Sequence, residues 1–427
     1  MHDRFQYEKD QKVVFTKEMK ESYTILCPMM LKIQFRIFRD IFIRHGYKLV
    51  LLETEHSAIV DEGLQNVHND TCYPALLVIG QLLDALKSGK YDINKTALLI
   101  TQTGGGCRAS NYIHLLRKAL KKNNLEHVPV ISLNASGLER NPGFKLSLPL
   151  IIELAYALIY GDLLMLLSNQ TRPYEINKGD TDRLVDRWSK KVSNEVRGVT
   201  LFKNKKVKKD LVNMVADFSK IDMKRTEKIK VGIVGEIYMK YSPLGNNDLE
   251  DFLLSEGAEV FVPGLLDFII YCVDNTITDF KMYKMDRLKG LVSMVAKKYL
   301  LKLQNMMISA VESSPIFNPP ASFEKIKSLV KGYVSSRNKM GEGWLLPAEM
   351  LELISAGYEN IVCTQPFGCL PNHIVGKGMI RKIRENHPNA NIVAIDYDPG
   401  ATRINQENRI KLMLSVAKTK QKFANIV

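Results

Sequence analysis

The feature that most constrains the fold is an alternation of short apolar runs with longer helical segments, seen near residue 20 and again after residue 228. Such runs are rich in Val, Ile and Leu, and polar turns separate them from the helical segments. This pattern is typical of parallel sheets covered by helices on both faces. It predicts eight strands, at residues 23–26, 48–52, 97–100, 128–133, 228–235, 258–262, 360–363 and 391–396.

These strands divide the chain into two α/β parts. We expect a first doubly wound lobe over residues 1–150, a helical connector over 151–227 and a second doubly wound lobe over 228–427. The most apolar stretch, residues 146–167, approaches the length of a membrane span but carries Glu153 and Asp162. Because both carboxylates would be costly in lipid, we interpret the stretch as a buried helix. We expect no membrane association.

The composition indicates a basic cytoplasmic protein. The formal net charge is +14, with lysines concentrated at residues 118–122, 203–209 and 418–422. These tracts lie on or beside amphipathic helices, where lysine commonly forms a solvated face, and they match no nucleic-acid-binding motif. Six cysteines without a Cys-x-x-Cys pair, together with an N-terminus that lacks an apolar signal core, favour a reducing cytoplasm.

Three of the cysteines share one local setting. Cys72, Cys107 and Cys369 each precede a predicted helix, and the last two follow predicted strands. The N-terminus of a helix favours a thiolate, because its free N–H groups and dipole stabilise negative charge. In open α/β sheets ligands bind beyond the carboxyl ends of the strands, so all three thiols can line one crevice between the lobes. Three thiolates form an incomplete four-ligand cage, the arrangement expected for an iron–sulfur cluster with one open iron.

The segment before Cys107 strengthens this interpretation. Gly104, Gly105 and Gly106 allow the backbone to approach a bulky ligand and can present N–H groups to an anion. A phosphate is the alternative ligand, but the chain has no Walker lysine motif.

Zinc is the competing metal, with His373 or His68 completing a site of three cysteines and one histidine. Structural zinc sites usually contain closely spaced ligand pairs, which this chain lacks. Either histidine can instead cap its helix or donate a hydrogen bond to a cluster sulfur. We expect the remaining cysteines to be buried structural thiols; they are Cys27, Cys272 and Cys363.

Four segments resemble the 2-hydroxyacyl-CoA dehydratase superfamily, which also contains benzoyl-CoA reductase subunits. The nearest likeness is to the branch found as the C-terminal module of large activase-related proteins. The segments are residues 69–74 (Asn-Asp-Thr-Cys-Tyr-Pro), 101–112 (Thr-Gln-Thr-Gly-Gly-Gly-Cys-Arg-Ala-Ser-Asn-Tyr), 235–238 (Gly-Glu-Ile-Tyr) and 365–373 (Gln-Pro-Phe-Gly-Cys-Leu-Pro-Asn-His).

The resemblance implies two Rossmann- or flavodoxin-like lobes and a [4Fe–4S] cluster held by Cys72, Cys107 and Cys369. It also implies an ATP-dependent activase that supplies a low-potential electron, and dehydration of an acyl-CoA through a ketyl radical. True dehydratases pair two related subunits, so the expected assembly here is a homo- or heterodimer. The sequence leaves three functions open: an oxygen-sensitive lyase or reductase acting on an acyl-CoA or another small substrate, a non-catalytic electron-relay or assembly module, and a zinc- or nucleic-acid-binding protein.

Overall fold

The computed structural model describes residues 12–68, 70–102, 106–133, 139, 141–200, 204–284 and 286–424. Its strands form two separate four-stranded sheets in which every pairing is parallel. The strands are β1 (Thr24–Pro28), β2 (Lys48–Leu52), β3 (Thr96–Thr101), β4 (Val130–Leu133), β5 (Lys230–Gly235), β6 (Glu259–Phe261), β7 (Asn360–Pro366) and β8 (Asn391–Tyr397).

Helices follow almost every strand, as parallel connections require. Those of the first half and the segment after it are α1 (Lys17–Ser22), α2 (Lys32–Arg44), α3 (Ala58–Asn66), α4 (Tyr73–Lys87), α5 (Tyr112–Lys122), α6 (Leu148–Thr171), α7 (Asp180–Glu195) and α8 (Asn204–Phe218). Those of the second half are α9 (Ile237–Tyr241), α10 (Pro243–Asn246), α11 (Leu249–Ser255), α12 (Leu265–Tyr283), α13 (Arg287–Glu312), α14 (Phe323–Leu329), α15 (Leu345–Ser355), α16 (Gly378–Asn386) and α17 (Arg403–Ala424). The chain is therefore an α/β protein with two parallel sheets, and all eight predicted strands are present.

Both sheets have the same strand order. The first runs β2-β1-β3-β4 and the second β6-β5-β7-β8. In each sheet the chain starts at an inner strand, moves to one edge and then crosses back to the other side. The order therefore reverses between β1 and β3, and again between β5 and β7. Such a reversal opens a crevice at the carboxyl ends of the two strands, because the connections leave them in opposite directions.

The helix α6 joins the two halves. Its Asp162 accepts a hydrogen bond from Gln34 Nε2 of α2 at 2.8 Å and another from the backbone N–H of Leu266 in α12 at 2.8 Å. Among the described helices it alone has the length and apolarity of a membrane span, yet 78% of its most apolar window is buried inside the protein. Within this fold α6 is a core helix, and its carboxylates meet hydrogen-bond donors.

Candidate functional site

The crossover points of the two sheets supply two of the three candidate cysteines. The chain leaves β3 at Thr101 and reaches Cys107, which directly precedes a 3-10 turn, Arg108–Asn111, that leads into α5. It leaves β7 at Pro366 and reaches Cys369, just before a helical segment that includes the π-helical turn Asn372–Lys377. Parallel strands end at the same edge of their sheet, so each loop lies over its crossover crevice.

The third cysteine, Cys72, lies at the start of a helix and lines the same cavity as the other two. Cys72 is the N-cap residue of α4, and Pro74 occupies the first turn of that helix. The three thiols come from segments far apart in sequence, and all three line one cavity. Its walls are formed by Cys72, Pro74, Gly106, Cys107, Arg108, Tyr112, Glu236, Glu342, Gly368, Cys369, Leu370 and Pro371.

The cavity is narrow. Its empty space is about 370 Å³, of which the centre of a water molecule can reach only about 20 Å³. That reachable volume suits about one water molecule. A larger group requires the walls to move apart, and the exposed side chains of the wall are those of Leu370, which is 53% exposed, and Arg108, whereas Cys107 is half-buried.

Contacts between the two halves of the chain position two of the thiols. The backbone N–H of Tyr73 donates to the carbonyl of Phe367 at 3.0 Å, which ties the start of α4 to the loop after β7. Gly368 has φ +74°, and a Cβ there would lie 3.1 Å from the Cα of Cys72. Only glycine combines this backbone conformation with so close an approach. The short loop thereby places Cys369 beside Cys72.

Burial opposes ionisation of the thiols. Cys72 is 5% exposed, and burial raises the pKa of its thiol to about 12, although a 2.7 Å hydrogen bond with the Tyr112 hydroxyl lowers it. Burial also raises the pKa of Cys369 far above its ordinary value, and the nearby Glu342 and Glu236 raise it further. The expectation that helix N-termini favour thiolates is therefore wrong for these two residues without a bound cation, since desolvation outweighs the helix dipole. A bound metal would reverse this balance, because it stabilises the deprotonated ligand directly.

Two carboxyl groups share the cavity with the thiols. Glu236 follows β5 directly and caps α9 by accepting a hydrogen bond from the N–H of Met239 at 2.9 Å. Glu342 accepts one from the N–H of Ile237 at 3.0 Å. Burial raises the pKa of both carboxyls, and the charge of Glu342 raises that of Glu236 further. Both groups therefore retain a proton at higher pH than an exposed glutamate does.

The other predicted site residues have mixed outcomes. Gly106 lines the cavity, and its N–H contacts the Met340 sulfur at 3.3 Å. Gly104 and Gly105 lie outside the described residues. His68 is largely exposed and pairs with Asp70, while His373 contacts the Gln365 side chain. Neither histidine forms part of the cavity wall.

The remaining cysteines are only partly as expected. Cys363 is buried within β7, where its thiol lies 3.6 Å from the Asn372 side-chain oxygen. Cys27 is half-buried. Cys272 is exposed on α12, so the prediction that it is a buried structural thiol is wrong. An apolar neighbourhood in sequence does not determine which side of a helix faces solvent.

Sequence reasoning assigned no role to one tyrosine and two glutamates of the cavity wall, Tyr112, Glu236 and Glu342. Tyr112 and Glu236 lie inside the motifs quoted above, but neither residue was a candidate for a role in the site. Glu342 was not a candidate, and its only signal is an acidic residue between Gly341 and Gly343 at the start of an apolar helix. The loop is folded tightly, since Gly343 has φ +43° and a Cβ there would lie 2.0 Å from the carbonyl oxygen of Asn338.

Comparison with known proteins adds no relative. No protein-family model matches the chain, and no curated protein matches its sequence. Within the described residues, no group of three or more His, Cys, Asp or Glu side chains is arranged to hold a metal ion. The three thiols thus share a cavity without forming a closed cage.

Proposed function

We propose that this chain is an iron–sulfur protein whose [4Fe–4S] cluster is held by Cys72, Cys107 and Cys369. The observation that carries the proposal is the convergence of these three thiols, from three segments in two lobes, on one cavity. Soft thiol donors are the ligands that iron–sulfur clusters require. The donor set fits the group, while the narrow space requires the walls of the cavity to move apart when it binds.

The fold supports the same proposal. Each sheet has the order of the first four strands of a flavodoxin-like sheet, 2-1-3-4. Two such doubly wound lobes are what the resemblance to the 2-hydroxyacyl-CoA dehydratase superfamily implies. Cys107, Cys369 and Glu236 all lie at the carboxyl ends of the strands that flank the crossovers, where this fold class binds its ligands.

A bound cluster would supply one-electron chemistry and a Lewis-acidic iron that lacks a cysteine ligand. The residues around it would exclude water and hold protons. The Tyr112 hydroxyl lies 2.7 Å from the Cys72 sulfur, where it can donate to the ligand. Glu236 and Glu342 retain protons because they are buried, so they are placed to deliver or accept a proton at the cavity.

The substrate and the partner follow from the resemblance alone. We propose a cytoplasmic enzyme of the lyase or reductase type that acts on an acyl-CoA or another small reducible molecule and that an ATP-dependent activase reduces. Exposed apolar side chains suited to a docking partner lie on the two segments that border the cavity, before α15 and after β7. They are Met340 at 50%, Phe367 at 51%, Leu370 at 53% and Ile374 at 67% exposed.

The test is the iron and acid-labile sulfide content of protein purified without oxygen, together with its EPR spectrum after reduction. The proposal predicts about four irons and four sulfides per chain. Replacing Cys72, Cys107 or Cys369 with Ser is expected to remove most of the bound iron in each case. Cys27→Ser and Cys272→Ser are the matched controls, because neither residue lines the cavity.

Three results would contradict the proposal in distinguishable ways. Stoichiometric zinc without sulfide would identify a zinc protein. Full iron retention in a Cys72, Cys107 or Cys369 variant would remove that residue from the ligand set. A cluster whose EPR spectrum no added acyl-CoA or cyanide changes would favour the relay function over catalysis, because a substrate must reach the open iron.

A further inference from the structure

The long helix α13 carries a continuous exposed row on one face. The row occupies every third and fourth position in turn and runs for about 32 Å at 1.5 Å per residue. Its members are Leu288, Leu291, Val295, Lys298, Lys302, Asn305 and Ser309, all of them exposed. Residues at this alternating spacing of three and four lie on one stripe of a helix, the kind of stripe along which one helix packs against another.

The first half of the row is strongly apolar. Leu288 is 74% exposed, Leu291 56% and Val295 72%, and the adjacent Val292 is 59% exposed. A few isolated exposed aliphatic residues are normal on a protein surface, but four on one stripe form a contiguous patch. The opposite side of α13 is buried along its second half, at Leu303, Met307 and Val311, whereas Gly290 is the one buried residue among 287–299. The apolar stripe therefore lies on the half of the helix that the rest of the chain covers least.

The second half of the row is basic. It borders a groove of about 940 Å³ between α13 and its neighbours, lined by the lysines Lys208, Lys281, Lys297, Lys298, Lys302 and Lys327. Two carboxylates of the same groove, Asp274 and Glu324, pair with two of these lysines. The Asp274 oxygens lie 2.7 Å from Lys297 and 2.5 Å from Lys327, and a Glu324 oxygen lies 2.8 Å from Lys297. Within the described part of the chain, the structure gives the other four no ion pair. The groove therefore presents uncompensated positive charge.

We propose that this row docks an amphipathic helix of an acidic partner protein, with apolar residues over the Leu288 half and carboxylates over the lysine half. A second copy of the chain fits poorly, because it is itself basic, at +14. Pairing two full rows antiparallel would set Lys302 against Val295 of the other copy and bring the two Lys298 side chains together at the centre. Pairing them parallel would set lysines against lysines.

A membrane surface fits less well than a helix. A helix lying on a bilayer buries an apolar face and keeps its lysines on the other side. Here Lys298 and Lys302 continue the same face as Leu291 and Val295. A partner helix that carries apolar side chains in one half and carboxylates in the other can contact both halves of the row at once. The site is separate from the thiol cavity, so the inference does not depend on the proposed function.

The test uses two fluorescent 22-residue helical peptides as probes. One peptide has leucines in the N-terminal half of its contact face and glutamates in the C-terminal half, which suits parallel docking on the row. The other has the reverse order, which suits antiparallel docking. Fluorescence anisotropy with the full chain is expected to show micromolar binding of one peptide, weakened by added salt because carboxylate–lysine pairs contribute. A peptide with lysines in place of the glutamates is expected not to bind.

Two double variants separate the halves of the row. L291E/V295E and K298E/K302E are each expected to weaken binding more than about tenfold, through lost apolar burial and reversed charge respectively. The matched control is L412E/K418E on α17, where Leu412 is 68% exposed and Lys418 is exposed. This control is expected to bind like the unmodified chain.

Three outcomes would overturn the inference. The first is no binding of either acidic peptide at about 100 µM, a concentration well above the expected micromolar Kd. The second is a dimer of the chain alone that L291E/V295E dissociates. The third is sedimentation with phosphatidylserine vesicles that the same variant abolishes. Circular dichroism of each variant checks that the fold is intact, which is expected because the altered side chains are exposed.

Discussion

Lys240 is a buried lysine on α9, one helical turn after the cavity residue Glu236, and its removal is the sharpest test of the energetics. Its ammonium donates to Glu349 at 2.9 and 3.2 Å, and both side chains are only 2% exposed. It also lowers the pKa of several further carboxyls that burial raises, which are Glu236, Glu342, Glu352, Asp162 and Asp267. One buried cation thus compensates a group of buried acids.

Lys240→Met is expected to lower the free energy of unfolding by about 3–5 kcal/mol, because it leaves Glu349 buried without its partner. The double variant K240M/E349L is expected to recover most of that loss, since it removes both charges and keeps apolar volume. The matched surface control is R381M, which breaks the pair between Arg381 and Glu385, whose side chains are 90% and 58% exposed. Its expected cost is below about 1 kcal/mol.

The pH dependence of the destabilisation caused by K240M is a second test of the same reasoning. Burial raises the pKa of Glu349 in the folded protein, an effect that Lys240 opposes. In K240M that pKa rises further, so the folded state prefers the neutral acid. A carboxyl with a raised folded pKa contributes stability below its unfolded pKa and loses it as the pH rises through the folded pKa. The cost of K240M is therefore expected to be smaller at pH 5 than at pH 8.

Urea unfolding can be followed locally through Trp344, which is fully buried and directly precedes α15, the helix that carries Glu349. A W188F background removes the other tryptophan. The electrostatic reasoning is refuted if K240M costs less than about 1 kcal/mol, or if the double variant is less stable than the single one. An equal cost at pH 5 and pH 8 would show that Glu349 does not carry the penalty.

Three further predictions concern the cavity and the exposed row. Gly368→Ala is expected to lower the free energy of unfolding by about 2 kcal/mol or more and to lower the iron content, because the added Cβ would press on Cys72. The control Gly357→Ala, where φ is +83° and nothing lies within 4 Å of the added Cβ, is expected to cost about 1 kcal/mol and to leave the iron content unchanged. Urea unfolding and iron analysis measure both effects. With the proposed cluster bound, Tyr112→Phe is expected to keep the iron but shift the reduction potential to a more negative value, because the hydrogen bond to the Cys72 sulfur is lost. Anaerobic redox titration measures this shift. Leu291→Gln is expected to change the unfolding free energy by less than about 0.5 kcal/mol, because that side chain is 56% exposed; a larger loss would show that it supports the fold itself.

The sequence alone determined where the eight strands lie along the chain. A buried parallel strand needs an unbroken apolar run between turns, and all eight such runs became strands. The predicted run at residues 48–52 coincides with Lys48–Leu52, while the run at 360–363 extends further, to Pro366. Such ends move because pairing with a neighbouring strand adds hydrogen bonds that a local pattern does not contain.

Tertiary structure decided the composition and electrostatics of the cavity. Glu342 and Glu236 are 106 residues apart in sequence, and only the packing of their loops brings both to the thiols. The shared local setting of Cys72 and Cys369 suggested thiolates, yet burial in the folded chain raises the pKa of both thiols. Burial is a property of the assembled chain, and for these thiols it outweighs the helix N-termini that the sequence displays.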